Sequence, residues 1–209
     1  MADLRYPVAL AIDYPDRTLN RLTTFFRLIV AIPIVVVVGA VAGGSAQFGS
    51  GEHAATFSAA GGLLVAGPLL MILFRQKYPR WWFDWNRELV RLLTRLAAYL
   101  ALMNDRYPST DDEQSVHVDL PYPDVPRELT RWLPLVKWLL AIPHYIVLAF
   151  LWIGAVVSVV IAWFAILFTG RYPRGLFDFV QGVARWHVRV VAYAFLLVTD
   201  RYPPFRLAP

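Results

Sequence analysis

The sequence predicts an all-α membrane protein of four transmembrane helices, arranged as two parallel tandem hairpin repeats. Each hairpin is followed by an amphipathic interfacial helix and preceded by a short strand. Three observations carry this reading. Hydrophobic residues make up 58% of the chain and charged residues 17%, with a mean hydropathy of +0.49, which is too apolar for an ordinary water-soluble domain. Long uncharged stretches lie between arginine-rich segments, and the chain repeats itself.

Taken in order, the first element is an alternating run, Val8, Leu10 and Ile12, beside a Tyr-Pro turn. Period-two patterning marks a brief strand. Asp3 and Arg5 open the chain and no apolar stretch begins until past residue 20, so the first span is expected to stay as an anchor rather than be removed as a leader. Between Arg27 and Arg75 run two uncharged stretches, 28–51 and 54–74, interrupted by Glu52 and His53. Each can hold a helix long enough for a hydrocarbon core of ~30 Å, which takes ~20 residues. Helices are expected near 22–43 and 60–75, joined by the Gly, Ala and Ser-rich loop 43–62.

An interfacial helix over 81–103 follows from the helical spacing of Leu89, Leu92, Leu93, Leu96, Leu100 and Met103, with Arg87, Arg91 and Arg95 stepping by four along another face. The acidic stretch 109–115 reads as a linker, and Val116, Val118 and Leu120 as a second strand that pairs with the first. The next uncharged run, 138–170, accommodates two helices if extended back past Lys137 to Trp132. They are placed at 132–152 and 155–169, turning near Gly154, with Lys137 snorkelling to the headgroups. A last interfacial helix, 177–198, carries Val180, Val183, Val190, Val191 and Val198 on one side and Gln181, Arg185 and Arg189 on the other.

The repeat organises these elements into a first unit, 1–108, and a second, 116–209. Arg17, Arg21, Arg27 and Ala31-Ile32-Pro33 recur as Arg127, Arg131, Lys137 and Ala141-Ile142-Pro143. Lys77-Tyr78-Pro79-Arg80, Phe83-Asp84, Arg91, Arg95 and Tyr99 recur as Arg171-Tyr172-Pro173-Arg174, Phe177-Asp178, Arg185, Arg189 and Tyr193, and both units close on Asp-Arg-Tyr-Pro. An even number of spans per unit makes the repeats parallel rather than inverted. All twenty Lys and Arg lie outside the two hairpin turns, so the positive-inside rule places both termini and the middle on the cytoplasmic face.

The charge of +5 and pI near 9.7 are read as topogenic arginine facing anionic lipid, not as a nucleic-acid surface. Without cysteine there is no disulfide framework, thiolate metal site or cysteine nucleophile. No Gly-rich phosphate loop, nucleophile elbow, zincin helix or buried acid pair is present, so neither enzyme nor cofactor is expected.

Three groups of residues stand out as candidate sites. Arg87, Arg91, Arg95, Arg185 and Arg189 are candidate anionic-lipid contacts, because like charges at i and i+4 cost a few tenths of a kcal/mol (~0.2–0.5) unless an anion lies between them. Tyr78, Tyr107, Tyr172 and Tyr202, each between a cation and a proline, are candidate interfacial anchors. His144, just after Pro143, is an intramembrane polar residue expected to bond a carbonyl freed by that proline.

The series LFTGRYPRGLFDF at 167–179, Arg185-Trp186, Arg189 to Tyr193, and Thr199-Asp200-Arg201-Tyr202-Pro203-Pro204-Phe205, with the two Ala-Ile-Pro motifs, resembles an uncharacterised family of bacterial integral membrane proteins catalogued as a domain of unknown function. The resemblance implies a multi-pass protein of the bacterial cytoplasmic membrane and supplies no activity. The function expected from the residues is that of a non-catalytic accessory or scaffold subunit of a membrane complex. It would contact lipid through its cytoplasmic platform and associate with other membrane subunits or with itself. The alternative is a small oligomeric transporter of lipid or small molecules.

Overall fold

The computed structural model describes residues 6–42, 46–48, 55–57, 61–109, 112 and 114–209. Glu52 and His53, most of the loop 43–62 and part of the linker 109–115 lie outside them. The elements are β1 (Ala9–Ile12), α1 (Arg21–Ala42), β2 (Ala46–Phe48), β3 (Ala55–Phe57), α2 (Gly61–Arg75), α3 (Arg80–Leu100), β4 (Val116–Asp119), α4 (Val125–Glu128), α5 (Pro134–Leu140), α6 (Ile142–Thr169) and α7 (Arg174–Ala194).

The two alternating runs do pair. β1 and β4 form an antiparallel ladder in which Leu10 faces Val118 and Ile12 faces Val116. Their inward residues, with Val8 and Leu120, are buried among Phe83 and Val90 of α3 and Phe177, Val180 and Val183 of α7. Alternation places every second side chain on one face, so four residues per strand suffice to close the core. The outward positions carry Asp13, His117 and Asp119 into solvent.

α3 and α7 flank this ladder, each starting after a proline, Pro79 and Pro173, in extended conformation. Proline fixes φ near the helical value and lacks the N–H that a first turn leaves unpaired. Side-chain bonds tie each helix to one strand. Arg91 Nε donates to the Val118 carbonyl at 3.3 Å. On the other side Arg185 Nε donates to the Leu10 carbonyl at 3.0 Å and Gln181 Nε2 to the Ile12 carbonyl at 3.3 Å. The strands are therefore exchanged: the early strand lies on the late helix, and the late strand on the early one.

The expected turn near Gly154 is absent. α6 is one uninterrupted helix of 28 residues, and Gly154 sits inside it against the Phe179 ring. Gly154 is the helix's one glycine, flanked by apolar residues that offer no loop-forming polar partner, so the i→i−4 bonds run through it. The chain breaks earlier, between α5 and α6 at Ala141, where Pro143 follows. The predicted helices 132–152 and 155–169 are thus replaced by α5 and α6. Two helices, α1 and α6, are long and apolar enough to cross a membrane, and α2 contributes a shorter apolar stretch.

The carboxyl-terminal tail is packed in as well. Arg185 Nη1 donates to the Leu207 carbonyl at 2.9 Å, and a Cβ added at Gly182 would come within 2.9 Å of Leu207 Cβ. Gly182→Val is expected to destabilise the fold by about 1–3 kcal/mol through overpacking and to expose the tail to carboxypeptidase. Thermal unfolding with timed proteolysis checks this, and an unchanged melting temperature would mean that the tail is not held there.

Candidate functional site

Two buried ion pairs tie the apolar helices to the ends of the amphipathic ones. In α1, Arg27 is 1% exposed. Its guanidinium meets Asp105 at 2.5 Å, donates to the carbonyls of Tyr99 and Asn104, and lies 4.5 Å from the Tyr99 ring centre. In α5, Lys137 is 0% exposed. Its ammonium meets Asp200 at 2.7 Å, donates to the Thr199 carbonyl, and lies 5.2 Å from the Tyr193 ring centre. Each aspartate also caps the segment leading into the apolar helix, accepting from the backbone N–H of Asn20 and of Thr130 respectively.

The backbone turns that bring these aspartates round are alike. After α3 and α7 the chain passes through Leu102 (φ 64°) and Leu197 (φ 58°), left-handed residues that cost a branched side chain roughly 1–2 kcal/mol. Both are buried, and their packing holds the turn. Burial of a charge is tolerated only when it is paired and its remaining donors are satisfied. Here carbonyls, a carboxylate and an aromatic face take most of that role, and Arg27 Nε is left buried without a hydrogen-bond partner among the described residues. The sequence reading treated Lys137 as a snorkelling residue and Arg27 as topogenic. The structure instead turns both inward, because an aspartate from the Asp-Arg-Tyr-Pro segment lies within reach.

The arginines of the platform point inward more than expected. Arg189 is 3% exposed and donates to the carbonyls of Ala208 and Arg206. Burial lowers its pKa, and neighbouring Arg185 and Arg206 lower it further. Arg185 holds Leu10 and Leu207 as described, and burial lowers its pKa too. Arg95 donates to the Ser109 carbonyl. The partners that the structure gives them are thus backbone carbonyl dipoles. Arg87 differs, its side chain 29% exposed in ion pairs with Asp84 and Glu88, while Arg91 combines its Val118 bond with an ion pair to Glu88.

The four tyrosines divide into two kinds. Tyr78 and Tyr172 are each 1% exposed, so their rings are buried inside the protein. Their carbonyls accept from Tyr122 and Tyr14, whose rings also pack edge-on against Phe83 and Phe177. Burial pushes the Tyr78 phenol up to about 12. Tyr107 and Tyr202 are half-exposed, and the Tyr202 hydroxyl donates to the Leu140 carbonyl.

His144 is fully buried, and its partner is not a carbonyl. Trp186 Nε1 donates to His144 Nδ1 at 3.0 Å, which places the ring proton on Nε2, and Phe205 stacks on the imidazole at 4.0 Å. Sequence reasoning missed Trp186 because its Arg-Trp pair was noted only as a motif. Among the described residues no group of three His, Asp or Glu side chains is placed to hold a metal. Between α1 and α6 lies an apolar cavity of about 260 Å³, lined by Thr24, Phe25, Leu28, Leu102, Val160 and Trp163 among others.

These features define a mostly helical protein with two small two-stranded sheets, β1 with β4 and β2 with β3, and two apolar helices of membrane-crossing length. Residues 132–206 match the model of a domain of unknown function, DUF4389. The match spans a little over a third of the chain, from the approach to α5 through the Asp-Arg-Tyr-Pro segment. No curated protein and no solved structure matches.

Removing one member of a buried pair strands the other. Lys137→Met is expected to cost about 3–5 kcal/mol, and Lys137→Met with Asp200→Leu to recover much of that loss. Unfolding in detergent checks both; equal losses in the single and double variants would show that the pair is not coupled.

Proposed function

We propose that the chain is a non-catalytic integral membrane protein, an accessory or scaffold subunit of a complex in the bacterial cytoplasmic membrane. The observation that carries this is the division of its surface. α1 and α6 expose long rows of large apolar side chains, including Phe26, Ile29, Val36, Phe150, Val157 and Phe168. The ladder side exposes charge. A patch of that size on a soluble monomer is uncommon and marks contact with lipid or another protein.

In this reading the chain is two units of one design, with α1 and α2 as a transmembrane hairpin and both termini cytoplasmic. The matched ion pairs, the matched left-handed leucines and the exchanged strands support the duplication. Burial of Arg189 and the carbonyl bonds of Arg91, Arg95 and Arg185 leave Arg87 as the arginine of the row best placed for headgroup contact, with Tyr107 and Tyr202 as the exposed anchors. Partners are anionic lipid and neighbouring membrane subunits or further copies, and no nucleic acid. A second reading, a small oligomeric transporter of lipid or small molecules, draws on the apolar cavity between α1 and α6.

Extraction in mild detergent separates the two. Stoichiometric copurification with another membrane complex is the outcome expected for a subunit; a symmetric oligomer running alone with tightly held lipid would favour the transporter. Arg87→Gln, which removes only half-exposed ion pairs with Asp84 and Glu88, should reduce retained phosphatidylglycerol by mass spectrometry while leaving the fold intact. Arg189→Gln should lower stability instead, since it strands the carbonyls of the tail. Unchanged lipid in the first variant would remove the headgroup role.

A further inference from the structure

We infer that α6, despite its length and hydropathy, does not cross the bilayer but lies flat in one leaflet, its outward row of side chains among the acyl chains of an anionic membrane. The inference rests on the membrane reading above and adds where this helix sits.

The first ground is connectivity. β4 pairs with β1, and the guanidinium of Arg185 bonds both Leu10 of β1 and Leu207 of the tail. The chain before α6 and the chain after α7 are therefore on one side of any membrane. α6 and α7 together must cross an even number of times. Either both cross or neither does.

The second ground decides between these. α6 runs antiparallel along α7: His144 meets Trp186, Trp152 meets His187, Gly154 meets Phe179, and Ile166 is buried in the same cluster as Phe177. At 100° per residue, Phe179, Trp186 and His187 lie across α7 from Gln181 and Arg185, which hold β1. The middle of α6 is thus backed by the middle of α7, and that in turn by the ladder. If both helices crossed, the ladder would enter the hydrocarbon with exposed Asp119 and with Asp13 and His117, which meet each other at 3.1 Å but keep side chains 64% and 61% exposed. Charged groups at that depth are disfavoured unless they face a partner or water. A flat α6 leaves them in solvent.

The third ground is the chemistry at the two ends of α6. Arg21 donates to the Phe168 carbonyl, and exposed Arg171 and Arg174 follow. At the other end Tyr202 reaches the Leu140 carbonyl, beside exposed Arg201 and Arg131. Both ends therefore finish in cations and rings suited to one layer of anionic headgroups. Between them Phe150, Ile153, Val157, Ile161, Phe164 and Phe168 face outward without interruption.

Because the chain has no cysteine, single-cysteine spin labels test this on the full-length protein. Ile146→Cys, Ile153→Cys, Val157→Cys and Phe164→Cys, all at exposed positions, are labelled and reconstituted in vesicles of phosphatidylcholine and phosphatidylglycerol. Depth is read from collision with oxygen against a water-soluble nickel chelate. A flat helix gives shallow depths, about 5–10 Å, with no trend along the sequence. A profile changing by about 1.5 Å per residue would overturn the flat placement and leave the membrane reading standing. Full access to the nickel chelate and none to lipid at every position would overturn both.

Discussion

Everything in this structure hangs on putting two cations where no water reaches them. Arg27 and Lys137 sit at the roots of the apolar segments, and each is neutralised by an aspartate arriving from beyond the end of an amphipathic helix. An unpaired charge there would be prohibitive. The apolar helix, the left-handed turn at Leu102 or Leu197 and the Asp-Arg-Tyr-Pro segment must therefore be in register at once. Hydrophobic contact is non-directional and would let the helices slide. The ion pair, with its carbonyls and aromatic face, fixes where they stop.

The same economy governs the arginines on α3 and α7. Stepping every four residues, they form a row that looks made for an external anion. The strands and the tail offer carbonyls along that row, and the guanidinium, with five donors in a planar fork, can hold two of them at a time. The polar layer is thus assembled from inside, leaving Arg87, with its ion pairs to Asp84 and Glu88, as the member of the row that bonds no carbonyl among the described residues. Aromatic pairing repeats the pattern, with Tyr14 and Tyr122 each locking the turn ahead of the opposite amphipathic helix.

Much of this was legible in the sequence, and the limits have physical causes. The strands at Val8 to Ile12 and Val116 to Leu120 could be read and paired because alternation is a local signal. The amphipathic helices were legible to within a few residues for the same reason. The break at Gly154 was misread because apolar runs of 30-odd residues fit one long helix or two short ones equally well by hydropathy. What decides is whether loop chemistry interrupts them, and the residues around Gly154 have none. Arg27, Lys137 and His144 were seen as polar exceptions, but their partners Asp105, Asp200 and Trp186 lie 78, 63 and 42 residues away. Only the repeat could have paired the cations with their aspartates, since it moves both members together. The direction of the arginine row is a tertiary fact: periodicity gives a face, not what the face meets.

On the two-unit reading proposed above, the exchange of strands carries a consequence for how such a molecule came to be one chain. A polypeptide holding one unit would have a strand with no helix beneath it and a helix with no strand above it. Two such polypeptides would complete each other by trading strands, each closing the other's core. Joined through the acidic segment at 109–115, the traded pieces belong to one molecule, and assembly no longer depends on concentration. The covalent link makes permanent an embrace that two separate copies would have to find by collision, and frees each half to drift from the symmetry that an obligate pair would impose.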